Sequence, residues 1–153
     1  EEALEMKVAV LMGSEKDMPK MQSCMDVLDE FGIEHEVHVM SAHRTPERVA
    51  AFVSSARDNG FGVIVCGAGK AAHLAGAAAA HSTLPVIGVP IAAGGLGGAD
   101  ALYATVQMPT GIPVATVAID GAANAGYLAA SILSVGHADL TDKLHSYRES
   151  LKG

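Results

Sequence analysis

Short apolar runs alternate along this chain with segments whose apolar residues recur at helical spacing. Residues 7–12 (KVAVLM) form a run that ends at a glycine and a serine, which is typical of a strand buried on both faces of a parallel sheet. Further strands are predicted at residues 34–39, 61–66, 84–89 and 114–119. The pattern therefore predicts five strands in all.

The segments between these runs have the period of amphipathic helices. The first helix is predicted to begin after Asp17 as N-cap and to end at Gly32, with a core-facing stripe at Met18, Met21, Met25 and Leu28. Other helices are predicted at residues 46–59, from the glycine-rich run 67–76 to His81, and at 100–107, 122–133 and 140–151. The last of these is the least apolar, and we expect it to pack on a neighbouring subunit.

Strands and helices alternate without an internal repeat or a linker. Since crossovers between parallel strands are nearly always right-handed, the order favours a three-layer α/β/α sandwich on a five-stranded parallel sheet, with an additional C-terminal helix. We expect residues 1–153 to form a single domain, in which 1–5 are a lead segment and Met6 is the native start.

The composition limits which partners, assembly state and metal sites the protein can have. The net charge of −7 argues against a nucleic-acid groove or an anionic membrane surface as partner, because both require basic patches. Half of the residues are apolar, which predicts an oligomer. Cys24 and Cys66 lie in a helical and a strand pattern, so we expect buried free thiols in a cytoplasmic protein. The seven histidines show no zinc-type spacing, and no metal is predicted.

The run that follows the second predicted strand, residues 40–46 (MSAHRTP), concentrates candidate chemistry. Thr45 is a predicted N-cap and Pro46 suits the first helical position, so the loop is expected to supply backbone N–H groups and a helix dipole to an anion. Arg44 adds a cationic fork and His43 a group that exchanges protons near neutral pH. The alternative for this pair is an ordinary solvated surface.

Two more loops follow predicted strands and fall at the same sheet edge, where ligands of such folds bind. Gly13 and Ser14 with Asp17 form either a phosphate or ribose cradle or only a tight turn and a cap. The run from Gly67 to His73 has neither a dinucleotide nor a P-loop pattern, and His73 is either a pocket wall or a structural residue. A glycine-rich segment, residues 92–98, has the composition of a mobile lid.

Taken together, the motifs are similar to one family. The blocks are residues 13–17 (GSEKD), 41–46 (SAHRTP), 67–74 (GAGKAAHL), 84–90 (LPVIGVP) and 106–109 with 111–117 (VQMP and GIPVATV). In this order they resemble the 5-(carboxyamino)imidazole ribonucleotide mutases, formerly called the catalytic subunits of phosphoribosylaminoimidazole carboxylase. The resemblance extends over about residues 7–135. It implies a flavodoxin-like fold, a homo-octamer with active sites between subunits, and a reaction without metal or organic cofactor.

The resemblance also implies roles for residues. His43 matches the general acid and base, and His73 a pocket residue beside the migrating carboxyl group. Ser14, Asp17 and Arg44 match contacts to the ribose and phosphate of a phosphorylated aminoimidazole ribonucleotide, while Ser41 and the backbone of residues 67–69 surround its ring. The complete set of expected substrate contacts is Gly13, Ser14, Asp17, Ser41, Ala42, Arg44, Gly67, Ala68, Gly69, Lys70 and Leu74.

Three positions depart from the family pattern. Lys16 stands where serine is common, Lys70 where glycine is common, and Ala75 where proline is common. A second branch of the family carboxylates the uncarboxylated ribonucleotide directly, but residues 44–46 and 71–74 keep the pattern of the mutase branch. A nucleotide-binding module without catalysis is the alternative from another functional class, and a transient contact with the carbamate-forming synthetase is a further expectation.

Overall fold

The architecture is a parallel sheet covered by helices on both faces. We describe residues 6–153 in a computed structural model; the predicted lead segment, residues 1–5, lies outside the described residues. The strands are β1 (Lys7–Met12), β2 (His35–Val39), β3 (Phe61–Gly69), β4 (Val86–Ile91) and β5 (Ala115–Thr116), in the order β2-β1-β3-β4-β5. All pairings are parallel, which confirms the predicted flavodoxin-like α/β/α sandwich.

Within residues 6–153, six α-helices cover the sheet: α1 (Met18–Glu30), α2 (Pro46–Ser54), α3 (Leu74–His81), α4 (Ala99–Val106), α5 (Ala122–Ser134) and α6 (Ala138–Ser150). Side chains alternate between the two faces of β1, because successive residues of a strand point in opposite directions. Val8, Val10 and Met12 join the core beneath α1, α5 and α6. Ala9 and Leu11 join the core on the opposite face, beneath α2 and α3.

β5 is much shorter than the predicted strand 114–119. Ile87 and Gly88 of β4 are in register with Ala115 and Thr116, and the Gly88 carbonyl accepts a hydrogen bond from the Val117 amide. Two residues further along, Pro90 points toward the same neighbour but has no N–H to donate. The ladder therefore ends, although the Pro90 carbonyl still accepts a hydrogen bond from the Asp120 amide at 2.8 Å.

Helix ends also differ from the prediction. α2 stops at Ser54 rather than near residue 59. The Ala56 amide bonds the Val53 carbonyl instead of that of Phe52, which accepts from the Ser55 hydroxyl, and the chain continues as turns. Asp17 and Thr45 occupy N-cap positions, but neither side chain forms the predicted capping hydrogen bond. The Thr45 hydroxyl closes the preceding loop instead.

The C-terminal helix has one buried residue, fewer than any other α-helix within residues 6–153, as predicted for the least core-like helix. Leu140 is fully buried in the core beneath α5, and Leu144 and Tyr147 pack against the same cluster. These positions recur at helical spacing and present one face to α5, where the Tyr147 ring stacks on Tyr127 with centroids 4.4 Å apart.

Both cysteines are free and buried, as predicted. Burial raises the pKa of the Cys24 thiol to about 12, since an ionised sulfur would lose its hydration. Burial raises the pKa of Cys66 as well. Across residues 6–153, no helix has both the length and the apolar character needed to cross a membrane.

Candidate active site

A cavity of about 350 Å³ lies at the carboxyl ends of β1, β2 and β3. The strand order explains its place: the chain leaves β1 toward β2 on one side and later returns to β3 on the other, so the loops diverge and leave a crevice. The lining residues are Gly13, Ser14, Lys16, Asp17, Ser41, Ala42, His43, Arg44, Ala68, Gly69, Lys70, Ala71, Leu74 and Ala93.

The loop after β2 is held by its own hydrogen bonds. The Thr45 hydroxyl donates to the Ser41 carbonyl at 3.1 Å and accepts from the Ser41 amide at 2.9 Å. The Ser41 hydroxyl in turn accepts from the amides of His43 and Arg44, at 3.2 and 3.1 Å. Ser41 and Thr45 therefore fix the backbone that carries His43 and Arg44.

Arg44 connects this loop to the one after β1. Its guanidinium donates from Nη2 to the Gly13 carbonyl at 3.0 Å, while the side chain remains exposed at the cavity. A guanidinium has five N–H donors, so this contact leaves most of them for a ligand. The cation is thus held at the cavity before any anion arrives.

His43 and His73 are in direct contact. Nε2 of His43 lies 2.7 Å from Nδ1 of His73, with the rings nearly perpendicular and their centroids 4.8 Å apart. One of these nitrogens carries the hydrogen and the other accepts it, so the contact is compatible with at most one imidazolium in the pair. The pair can therefore hold a single mobile proton at the edge of the cavity.

The loop after β1 supplies the acidic side of the site. The Ser14 hydroxyl accepts from the Lys16 amide at 3.2 Å and starts a short 3₁₀ turn, Glu15–Asp17. Partial burial raises the pKa of Asp17, although a backbone hydrogen bond from Ser14 and the charge of Lys20 act in the opposite direction. Asp17 is the only carboxylate among the lining residues.

Gly69, the last residue of β3, and Lys70, which follows it, line the cavity. A Cβ at Gly69 would lie 3.0 Å from the Cβ of Ala93 and 3.1 Å from the Ile91 carbonyl oxygen, so a larger residue would push into β4. The next residue, Lys70, has a φ of +53°, a left-handed conformation that is rare outside glycine and asparagine.

Two predicted contacts lie outside the cavity lining. Gly67 is buried within β3, and a Cβ there would collide with the Met21 sulfur, so this glycine makes room for α1 rather than for a ligand. His73 contacts His43 but is not itself among the lining residues. Its hydrogen bond to His43 places it at the cavity edge, and its expected role as a pocket residue stays a prediction.

Three lining residues were not among the predicted contacts. Lys16 belongs to the same loop as Ser14, and Ala71 follows Lys70, so proximity along the chain was the available signal. Ala93 follows β4 and was assigned to the predicted lid. Its place at the cavity follows from the pairing of β4 with β3, which the sequence pattern alone does not specify.

A larger cavity of about 1060 Å³ lies near the amino ends of β4 and β5 and contains none of the predicted site residues. In parallel sheets of this kind, ligands bind beyond the carboxyl ends of the strands, so the smaller cavity is the candidate site. Among the described residues, no three His, Cys, Asp or Glu side chains are grouped closely enough to hold a metal ion.

Comparison with known proteins places the chain in one family. The family model described as AIR carboxylase matches residues 7–153. The chain is 55% identical over 137 residues to the N5-carboxyaminoimidazole ribonucleotide mutase of Aquifex aeolicus, covering 90% of this chain and 82% of that protein. It is 48% identical over 146 residues to the mutase of the same name from Thermotoga maritima, covering 95% and 85%.

The fold comparison agrees. The crystal structure of Treponema denticola PurE superposes with a TM-score of 0.86 at 32% identity, covering 95% of this chain and 90% of that one. Because the family model spans almost the whole chain and the relatives are matched over most of their length, this protein belongs to the AIR carboxylase family.

Proposed function

We propose that this protein is an isomerase of purine biosynthesis that converts 5-(carboxyamino)imidazole ribonucleotide into 4-carboxy-5-aminoimidazole ribonucleotide. The relatives from Aquifex aeolicus and Thermotoga maritima bear the name of this mutase, at 55% and 48% identity. The observation in the site that supports the reaction best is the hydrogen bond between His43 and His73 at the cavity edge. We further propose that residues 1–153 act as one catalytic domain.

The reaction moves a carboxylate from an exocyclic nitrogen to a ring carbon. A proton is given to the nitrogen, the N–C bond breaks with its electron pair returning to nitrogen, and carbon dioxide is released. The ring carbon then attacks carbon dioxide, and the hydrogen on that carbon leaves as a proton. Protons given and taken balance, so one group that donates first and accepts later can serve both steps.

His43 is the residue for this task. It lines the cavity on a loop fixed by Ser41 and Thr45, so its ring starts from a defined position. His73 holds Nε2 of His43 through Nδ1, which orients the ring and provides a partner for the proton between the two steps. In this scheme His43 exchanges protons with the substrate, and His73 is a positioning residue.

The remaining lining groups bind and enclose the substrate. Arg44 and Ser14 bind the phosphate and ribose, with Asp17 accepting from ribose hydroxyls. Ala42, Ala68 and Leu74 supply an apolar wall that keeps carbon dioxide from water. The site works without an organic cofactor or metal in this proposal, because each step is a proton transfer or a carboxyl transfer that the imidazole can assist.

The test of this function is a comparison of two substrates. Purified protein is given either 5-(carboxyamino)imidazole ribonucleotide or 5-aminoimidazole ribonucleotide with bicarbonate, and formation of the ring-carboxylated product is followed. Rapid turnover of the first and slow turnover of the second are expected. The reverse preference would identify a direct carboxylase, the activity in the name of a relative from Vigna aconitifolia that is 48% identical over 142 residues, which are 26% of its length. Turnover of neither would identify a binding module.

We also propose that the protein works in the cytoplasm as a homo-octamer, with transient contact to the carbamate-forming synthetase. Exposed apolar side chains support an assembly: Val135, Leu96 and Tyr103 are 90%, 68% and 65% exposed. Light scattering at micromolar concentration is expected to give about eight times the chain mass of 15.6 kDa. A monomer would contradict the octamer.

A further inference from the structure

Lys70 has a backbone conformation that its side chain does not favour. Its φ of +53° is one of two positive values among non-glycine residues of the described chain, the other being Asp120 at +59°. A lysine there is less stable than a glycine, because its Cβ approaches the backbone carbonyl in the left-handed region. Strain of this kind is often found where a residue acts on a ligand.

The surrounding loop directs the Lys70 side chain. Its carbonyl accepts from the Ala72 amide at 2.8 Å, which makes a tight turn before His73. The stem lies against the glycine-rich segment: Cε of Lys70 is 3.1 Å from the position that a Cβ would take at Gly94. Gly94 thus leaves room for the stem, and Lys70 is one of the residues that line the cavity.

The cations of the cavity are divided between two walls. Arg44 and Lys16 belong to the loops after β2 and β1, which are neighbours in the sheet, and the Arg44 guanidinium is bonded to Gly13. Lys70 belongs to the loop after β3, three residues before His73. Each wall thus carries one member of the histidine pair, His43 beside Arg44 and His73 near Lys70, and Lys70 is the cation on the His73 side.

From this division we propose that Lys70 is a specificity-determining residue whose ammonium group binds the carboxylate that the reaction transfers. The proposal rests on the proposed function and adds the recognition of one group of its substrate. Arg44 and Lys16, on the other wall, then bind the phosphate. A residue with this role should discriminate between nucleotides with and without the carboxylate, which a purely structural lysine would not do.

The experiment measures binding of two nucleotides by isothermal titration calorimetry at low salt. The probes are 4-carboxy-5-aminoimidazole ribonucleotide and 5-aminoimidazole ribonucleotide, which differ only in the carboxylate. Lys70→Asn removes the charge and keeps a residue that tolerates positive φ. It is expected to weaken binding of the carboxylated nucleotide about 5- to 100-fold, the scale of a charge-assisted hydrogen bond, and to change binding of the other by less than about twofold.

Two variants complete the design. Lys70→Arg keeps the charge and is expected to recover most of the discrimination. Lys16→Ser removes a cation from the opposite wall and is expected to affect both nucleotides by the same factor. Equal losses for both nucleotides in Lys70→Asn, no loss, or the same discrimination in Lys16→Ser would each overturn the proposal. Failure of the wild-type protein to bind either nucleotide or to turn over the carbamate would instead overturn the proposed function.

Discussion

The loop after β2 and the glycine-rich segment after β4 meet the same cavity but are held in different ways. In the first, residues 41–45 are closed by hydrogen bonds of Ser41 and Thr45 to each other and to the amides between them. In the second, residues 92–98, the contacts are at the ends. Within residues 6–153, no hydrogen bond holds Ala93, Gly94 or Gly95.

The ends of the glycine-rich segment are nevertheless anchored, Gly98 by a hydrogen bond from the Leu102 amide to its carbonyl at 2.8 Å and Ala92 by two hydrogen bonds. Asp120 accepts from the Ala92 amide at 2.9 Å and from the Lys20 ammonium at 2.9 Å, and Lys20 also donates to the Ala92 carbonyl. In the proposed function, this contrast suits different tasks for the two regions. Proton transfer needs a group already in position, so its loop is preorganised, whereas a covering segment can adjust between fixed ends.

The largest effect is expected at His43, the residue carried by the rigid loop. His43→Asn cannot take up and return a proton but keeps a hydrogen-bonding side chain of similar shape. Turnover should fall by about 100- to 10,000-fold with little change in KM, as expected for loss of one acid-base group. Steady-state kinetics with the carbamate substrate measures both parameters.

His73→Asn is the matched control for that variant. It removes the partner of His43 Nε2 but leaves His43 itself, so a smaller loss of turnover is expected. If His73→Asn were the more damaged enzyme, or if His43→Asn kept near-normal turnover, the proton would belong to the other histidine.

A second effect, on stability as well as activity, is expected from opening the rigid loop. Thr45→Ala removes two hydrogen bonds to Ser41 and should lower the free energy of unfolding by about 1–3 kcal/mol. Because Thr45 also positions His43, the turnover number of Thr45→Ala should fall together with its free energy of unfolding. Urea denaturation and kinetics on Thr45→Ser, which keeps the hydroxyl, provide the control; equal behaviour of the Ala and Ser variants would show that the hydroxyl does not hold the loop.

A smaller effect is expected at the anchor of the glycine-rich segment. Asp120→Asn keeps an acceptor for the Ala92 amide but loses the Lys20 ion pair, whose side chains are 42% and 36% exposed. An exposed pair of this kind contributes at most about 1 kcal/mol to the free energy of unfolding. If the anchor positions the glycine-rich segment over the substrate, Asp120→Asn should raise KM by a larger factor than its loss of unfolding free energy would suggest.

The same pair gives a pH dependence with a defined sign. Burial alone would raise the pKa of Asp120, but hydrogen bonds from the Ala92 amide and Lys20 outweigh it and hold the pKa below its usual range. The contribution to stability is therefore present above the unfolded pKa of about 4 and is lost as the pH falls through the lower folded value. The free energies of unfolding of wild type and Asp120→Asn should therefore become equal at acidic pH. A difference that persists in acid would contradict this explanation.

The smallest effect is expected from Lys70→Gly, which relieves the left-handed strain but makes the unfolded chain more flexible. These terms are about 1–2 and 0.4–1 kcal/mol and oppose each other, so thermal unfolding should show a gain of at most about 1.6 kcal/mol. A clear loss of stability would mean that the Lys70 side chain has a structural role beside Gly94.

The local sequence predicted the strands well and their ends less well. β1 and the approximate places of α1, α3 and α5 follow from apolar periodicity and from glycine stops, which act within a few residues. The short β5 did not follow, because its length depends on Pro90 of the neighbouring strand facing it. The sequence marks Thr45 as a polar residue at a helix start. Its hydroxyl can bond either the first turn of the helix or the preceding loop, and in the structure it bonds Ser41 of the loop.

By itself, the sequence determined which residues end up at one edge of the sheet. Gly13, His43 and Lys70 follow successive strands, and parallel strands direct their carboxyl ends to the same side. Only the tertiary structure decided which of these groups touch. The pairs His43 with His73 and Arg44 with Gly13 are 30 and 31 residues apart, so strand pairing and helix packing set their contacts, not local preference. For the same reason, the place of Ala93 in the cavity and the contact of Lys70 with Gly94 appear only once β3 and β4 are paired.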